Sequence, residues 1–170
     1  QKINIIHILK GHISSLTANE GDEISSRDLT LFYIFPMVLS LFGAYFNICF
    51  DSDVYSLSIT IFSIFAALLL SVQVALFGIS QKNWEPPVDK KKNKSFTDAL
   101  SQKKKLLLQL NTNISYLVIL CLLFVSIFLI FFSFKVKYQI ESFVSIYMYV
   151  HFILTTMMVV KRSHALFEKE

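Results

Sequence analysis

Four long stretches of the chain contain no Asp, Glu, Lys or Arg. They cover Leu29–Phe50, Val54–Gln81, Leu106–Phe134 and Ser142–Val160. About 20 apolar residues cross the hydrocarbon core of a bilayer as an α-helix, and these stretches run to 22, 28, 29 and 19 residues. They hold more than half of the 170 residues, which excludes a soluble enzyme with its own core. The sequence instead predicts an all-α polytopic membrane protein with four transmembrane helices, at about residues 29–50, 55–80, 110–134 and 141–160.

The basic residues are unevenly divided among the segments that connect these stretches. Fourteen of the sixteen Lys and Arg residues fall in residues 1–28, 82–105 and 161–170. Only Lys135 and Lys137 lie elsewhere, between the third and fourth stretches. With four crossings, the three basic segments share one side of the membrane. The positive-inside rule then places both ends and the connection at residues 81–109 in the cytoplasm.

The first 28 residues form a segment of their own before the first span. Ile6, Leu9, Ile13 and Leu16 lie on one face of a predicted short amphipathic helix. Such a helix is compatible with lying on the membrane, packing against another chain, or covering the end of its own bundle. Ser25 and Asp28 fit a capping box at the start of the first span.

The connection at residues 81–109 carries a cluster of lysines. These are Lys90, Lys91, Lys92, Lys94, Lys103, Lys104 and Lys105. Residues 89–94 are predicted to be a solvated run, and Ser95 and Asp98 fit a second capping box, so a helix is expected to start there and continue into the third span. The lysines suit attraction to anionic lipid headgroups, docking of a cytosolic protein, or contact with nucleic acid. We expect membrane lipids and a protein partner rather than direct nucleic-acid binding, because Trp84 and Phe96 alone offer aromatic contacts.

Few polar side chains fall inside the spans. His151 lies at the centre of the fourth stretch, where an ionisable residue suggests a proton relay, a gate or a polar lock between helices. The structural alternative is a neutral imidazole that only hydrogen-bonds to a neighbouring helix. Gln73 and Asn47 are weaker candidates and are predicted at different depths from His151. Pro36 is expected to kink the first span.

Small residues recur at every fourth position of the second span. They are Ser63, Ala67, Ser71 and Ala75. A ridge of small residues lets two helices approach closely, either within one protomer or between protomers. We expect a homo-oligomer, because a four-helix protomer with no soluble domain has little room to act alone.

No motif for catalysis, metal binding or cofactor binding is found. The sequence lacks a metal-binding HExxH or CxxC pattern, a phosphate loop and a nucleophile elbow. We expect no enzymatic activity and no cofactor. Two classes of function stay open. One is a membrane sensor or scaffold that acts on a soluble partner, and the other is a pore-forming or holin-like protein that permeabilises the membrane.

The whole-chain architecture resembles the KwaA family, the membrane subunits of the Kiwa anti-phage defence system of bacteria. The similarity lies in the four apolar stretches, the central lysine-bearing connection and the small and aliphatic residues at 63–70 of the second span. The resemblance implies an oligomeric inner-membrane sensor that recruits a cytosolic, DNA-binding effector of the KwaB type. It assigns no functional residue.

Overall fold

The protein is described here by a computed structural model that covers residues 5–15, 26–81, 90–134 and 139–167. Its elements are α1 (Ile5–Ser15), α2 (Ser26–Leu29), a π-helical turn (Thr30–Ile34), α3 (Phe35–Tyr45), α4 (Ser52–Ser80), α5 (Lys90–Phe134) and α6 (Gln139–Phe167). No strand occurs in these ranges. The predicted cap residue Ser25 and residues 135–138, which connect the third and fourth stretches, lie outside the described residues.

Four helical segments are long and apolar enough to cross a membrane. They are Arg27–Tyr45, Ser52–Ser80, Leu100–Phe134 and Gln139–His164. Together with the short helix α1, they confirm the predicted all-α fold with four transmembrane helices. The first segment passes through α2, the π-helical turn and α3 without a break in the helix.

The surface of the bundle differs from that of a soluble protein, because many large apolar side chains are exposed while several polar side chains are buried. Leu68, Val74 and Ile153 are more than half exposed on the helix surfaces. In contrast, the polar residues His12, Asn113 and Thr155 are completely buried. Exposed apolar surface and buried polar groups are the pattern expected when lipid is the solvent. The protein is therefore an integral membrane protein.

Helix α5 is the centre of the bundle and packs against α1, α4 and α6, while α3 packs on the far side of α6. Aromatic rings fill the contact between α4, α5 and α6, as in the edge-to-face pair of Phe62 and Phe124, whose centroids are 5.3 Å apart. Phe62 makes a second edge-to-face contact with Phe152 at 5.0 Å. One end of the bundle contains Arg27, the end of α4 at Ser80 and the last turns of α6. We call it the basic end, because the lysines of α5 lie there.

The first span ends earlier than predicted, at Tyr45 rather than Phe50. Asn47 adopts a left-handed backbone with a φ of 52°. The Asn47 N–H donates to the Ala44 carbonyl at 3.2 Å, and the Ile48 N–H donates to the Gly43 carbonyl at 3.1 Å. This pair of bonds is a Schellman motif, in which a left-handed residue just after the helix satisfies its last carbonyls.

Helix α5 begins earlier than the sequence predicts. It starts at Lys90, whereas the sequence predicts a start at Ser95. The predicted solvated run is therefore helical over residues 90–94, and the predicted connection is helical over residues 90–109. Lysine has a high helix propensity, so the helix can extend past a weak capping signal. α5 is 45 residues long, and its whole first third precedes the apolar stretch at Leu106.

Candidate functional site

The imidazole of His151 bridges two spans near the middle of the bundle. His151 Nδ1 lies 3.0 Å from the carbonyl oxygen of Phe32. In a regular helix, that carbonyl would accept a bond from the residue four positions later, which here is Pro36 and has no N–H. Because a carbonyl only accepts, His151 Nδ1 must donate the proton. The π-helical turn at Thr30–Ile34 ends two residues before this proline.

The second nitrogen of His151 contacts Tyr116 of α5. Tyr116 Oη is 2.9 Å from His151 Nε2, and both side chains are buried. Since Nδ1 carries the proton in the neutral imidazole, Nε2 accepts and the Tyr116 hydroxyl donates. Tyr33 and Tyr147 cover the imidazole, with ring centroids 5.4 and 5.8 Å away. His151 thus has a single proton arrangement and connects α6 to α5 and to the first span.

Tyr116 in turn contacts His12 of α1. The two rings stack with centroids 3.8 Å apart and an angle of 12° between their planes. His12 Nδ1 lies 2.9 Å from Asn113 Oδ1, so the imidazole donates to the amide oxygen. We call the group formed by His12, Asn113, Tyr116, His151 and the Phe32 carbonyl the His12–His151 network. It is a continuous buried chain of contacts from α6 to α1.

His12 is electrostatically unusual for a residue outside the spans. Burial lowers the pKa of its imidazole to about 4, although the bond to Asn113 acts in the opposite direction. Positive charge on His151 and Arg162 contributes to the lowering of this pKa, though less than burial does. His12 is therefore neutral near pH 7, and the network holds α1 through hydrogen bonding and ring stacking rather than through charge.

Helix α1 approaches α5 very closely at Gly11. A Cβ atom on Gly11 would lie 2.8 Å from the Thr112 Cγ2 methyl, a distance that requires one group to move. α1 therefore contacts α5 through Gly11 and His12, and its predicted apolar face remains outside. Ile6, Leu9 and Ile13 are 63%, 39% and 38% exposed. Leu16, the fourth residue of that face, lies outside the described residues.

The other two predicted polar residues of the spans have separate partners. Gln73 Nε2 donates to Ser115 Oγ at 2.9 Å, which ties α4 to α5 one residue before Tyr116. Gln139 Nε2 donates to Asn47 Oδ1 at 2.9 Å at the opposite end of the bundle from the lysines. Asn47 is thus a helix-terminating residue at the end of a span, and the structure does not bring Asn47, Gln73 and His151 together.

The small residues of α4 lie on its exposed face. This applies to Ser63, Ala67, Ser71 and Ala75, and also to Ser56 and Thr60 on the same helix. Ser63 Oγ donates to the Ile59 carbonyl at 2.7 Å, and Ser71 Oγ donates to the Ala67 carbonyl at 3.1 Å, so both hydroxyls are satisfied within α4. The ridge is not used for packing within the protomer.

The lysines of the predicted contact surface all lie on α5. Lys103 is partly buried, whereas Lys104 and Lys105 are exposed. Lys90, Lys91, Lys92 and Lys94 belong to the first turns of α5, and their side chains lie outside the described residues. Within the described ranges, no group of three or more His, Cys, Asp and Glu side chains is arranged to hold a metal ion.

Sequence reasoning identified His151 but missed its partners His12, Asn113 and Tyr116. One signal was available, because Pro36 necessarily leaves the Phe32 carbonyl without its helical donor, and a buried carbonyl requires another. A second signal was the polar Asn113 within the apolar stretch of α5. The position of His12 carries no such signal, because it depends on how α1 folds back onto α5.

The fold and this network define a four-span helical membrane protein with a short helix docked onto its central span. Comparison of the chain with protein-family models, with curated protein sequences and with solved structures gives no match.

Proposed function

We propose that the protein is an oligomeric sensor or scaffold subunit of the bacterial inner membrane. In this proposal it belongs to an anti-phage defence complex and recruits a cytosolic effector. The positive-inside distribution supports a cytoplasmic location for the basic end, where α1 and the start of α5 lie. The architectural resemblance to KwaA supports the defence context.

The His12–His151 network is the observation that carries this proposal. It connects three spans to α1, which is an element outside the spans. Hydrogen bonds of 2.9–3.0 Å join α6 to the first span, α6 to α5 and α5 to α1. A change in membrane tension or packing that shifts α6 against α5 would alter the bond between Tyr116 and His151. Because the Tyr116 ring also stacks on His12, the same shift would loosen α1 from α5.

The length of α5 supports a docking role for the basic end. At 1.5 Å per residue, a helix of 45 residues is about 67 Å long, more than twice the thickness of the hydrocarbon core. The residues before Leu106 thus form a rod beyond the apolar stretch, with lysines along it. A cytosolic effector would bind this rod, and α1 packs on the same helix further along, at Thr112 and Asn113.

The exposed ridge of small residues on α4 supports homo-oligomer formation. Such residues allow the backbones of two helices to approach closely in lipid, where apolar burial provides no driving force. Since Ser63 and Ala67 are exposed on the surface of the protomer, a second copy is the proposed partner for this face.

Site-specific photo-crosslinking in cells that naturally make the protein tests this proposal. A photoreactive residue would replace Ser101, which is exposed on the rod, and as a control Leu122, which is 58% exposed on the apolar part of α5. We expect one soluble protein to cross-link at Ser101 and not at Leu122, and to co-purify in the intact complex. Equal cross-linking at both positions, or cross-links only to other copies, would contradict the scaffold function.

A pore-forming or holin-like function is the second candidate. The observation in its favour is that Ser56, Thr60, Ser63 and Ser71 place hydroxyl groups on one exposed side of α4, where a ring of copies could line a channel. An ion-flux assay on the purified protein in liposomes separates the two. The scaffold function predicts tight vesicles, whereas a robust leak would favour the pore.

A further inference from the structure

A groove lies between α4 and α5 at the basic end of the bundle. Its volume is about 260 Å³. Much of its wall is apolar and is formed by Leu76, Phe77, Leu107 and Leu108. Lys103 and Lys104 line the part of the groove nearer the start of α5. Leu76 and Phe77 belong to the last turns of α4, which ends at Ser80. The groove is therefore outside the His12–His151 network.

The wall of the groove that α5 forms changes from charged to apolar along the axis of the helix. Leu107 and Leu108 belong to the apolar stretch that starts at Leu106, whereas Lys103 and Lys104 lie three and two residues before that start. The groove therefore crosses the boundary between the apolar surface of the bundle and its charged end. A ligand that fills it must present an apolar chain to the leucines and a negative charge to the ammonium groups.

We infer that this groove binds one anionic phospholipid of the adjacent leaflet. Its phosphate would lie against the Lys103 and Lys104 ammonium groups, and one acyl chain would pack between Phe77 of α4 and Leu108 of α5. Phe77 and Leu108 are 62% and 68% exposed, so both side chains offer free apolar surface to that chain. Charge complementarity favours a phospholipid with net negative charge over a zwitterionic one. This inference does not depend on the proposed function.

Matched variants separate a specific groove from general attraction to the membrane. K103Q/K104Q removes the two charges of the groove. K105Q/K161Q removes the same number of charges from exposed lysines outside it. L108W leaves the charges in place and fills the groove from an exposed position. None of these changes alters a buried residue of the core.

Native mass spectrometry of the full chain in mild detergent counts the lipids that stay bound. Phosphatidylglycerol, phosphatidylcholine and inorganic phosphate would be added in separate titrations. We expect one phosphatidylglycerol to bind in preference to phosphatidylcholine. K103Q/K104Q should weaken that binding by roughly 10- to 30-fold, as expected for two basic residues near a charged headgroup. L108W should also abolish the preference for phosphatidylglycerol over phosphatidylcholine. K105Q/K161Q should change the affinity for phosphatidylglycerol by less than about threefold.

Three outcomes would overturn the inference. An equal loss of affinity for phosphatidylglycerol in K103Q/K104Q and K105Q/K161Q would show that the attraction is not confined to the groove. Unchanged binding in L108W would show that no acyl chain enters between α4 and α5. Displacement of the lipid by millimolar inorganic phosphate would show that the lysines select a soluble phosphate rather than a phospholipid.

Discussion

At the scale of single residues, Pro36 and His151 act as a pair although they lie 115 positions apart in the chain. Pro36 cannot donate to the Phe32 carbonyl, and His151 supplies the missing donor at 3.0 Å. Hydrogen bonds between helices in a membrane contribute about 0.6 kcal/mol on average and up to about 1.7 kcal/mol. The contribution of His151 should therefore depend on the proline.

A double-mutant cycle tests this dependence. P36A supplies an N–H that can donate to the Phe32 carbonyl once the π-helical turn returns to a regular α-helical register. H151A should therefore cost less in the P36A background than in the wild type, by about 0.5–1.5 kcal/mol in the free energy of unfolding. Unfolding of the protein in bicelles, followed by steric trapping, measures all four variants. An identical cost of H151A in both backgrounds would show that the two residues are not coupled.

Asn47 provides a second prediction at this scale, because its backbone is left-handed with a φ of 52°. N47G and N47V both remove the amide that accepts from Gln139, and they differ in their tolerance of positive φ. N47V should lower the free energy of unfolding by about 1–2 kcal/mol more than N47G does. The same unfolding measurement applies, and equal stability of the two variants would contradict the Schellman cap.

At the scale of elements, α1 is held by one close contact and one buried imidazole. G11L places a side chain where a Cβ already lies 2.8 Å from the Thr112 Cγ2 methyl, so α1 must move away from α5. G78L is a matched control, since a Cβ on Gly78 meets no atom within 4 Å. Hydrogen exchange in nanodiscs should show loss of amide protection across Ile5–Ser15 in G11L alone. Intact protection in G11L would contradict the docked position of α1.

The docking of α1 should also weaken in acid. The His12 pKa is about 4 in the docked state, below the ordinary value of about 6.5 that applies when α1 is free. The free state therefore binds the proton first, so docking is strongest above pH 6.5 and declines as the pH falls towards 4. The loss is about 2 kcal/mol at pH 5 and about 3 kcal/mol below pH 4.

Protection factors of the α1 amides at pH 7.5 and pH 5 measure this decline, after correction for intrinsic exchange rates. The wild type should lose protection at pH 5, by roughly 30-fold for a change of about 2 kcal/mol. H12Q keeps a polar side chain that cannot titrate, and its protection should not depend on pH over this range. If the protection of the α1 amides in the wild type changed with pH no more than it does in H12Q, the result would show that His12 is not buried.

The elements also show what the sequence could predict and what it could not. The four spans follow from the absence of charge over long stretches, which is a local property. The early end at Tyr45 and the early start at Lys90 were missed, because a Schellman motif and helix propagation outweigh short capping signals. Packing of α1 on its own bundle was one of three alternatives that the sequence left open. The residues of that contact could not be predicted, because they lie about 100 positions apart, as His12 and Asn113 do.

At the scale of the whole molecule, the bundle combines an apolar exterior with a chain of polar contacts through its interior. The exterior accounts for residence in a membrane. The His12–His151 network makes the position of α1 depend on how α5, α6 and the first span pack together. That dependence is the central feature of the proposed sensor, because α1 packs on α5, the helix whose first turns would bind the effector.

One measurement tests this dependence directly. Spin labels at exposed Ser14 of α1 and Ser101 of α5, in a C49S background in nanodiscs, report the distance between the two helices. H151F keeps a ring but removes both hydrogen bonds of His151. His151 belongs to α6 and is connected to α1 only through Tyr116, so any effect on α1 must pass through the network. H164F makes the same change at an exposed position of α6 and serves as the control. We predict a narrow distance distribution in the wild type and H164F and a broad, longer one in H151F. The same narrow distribution in all three proteins would contradict the proposal that the spans control α1.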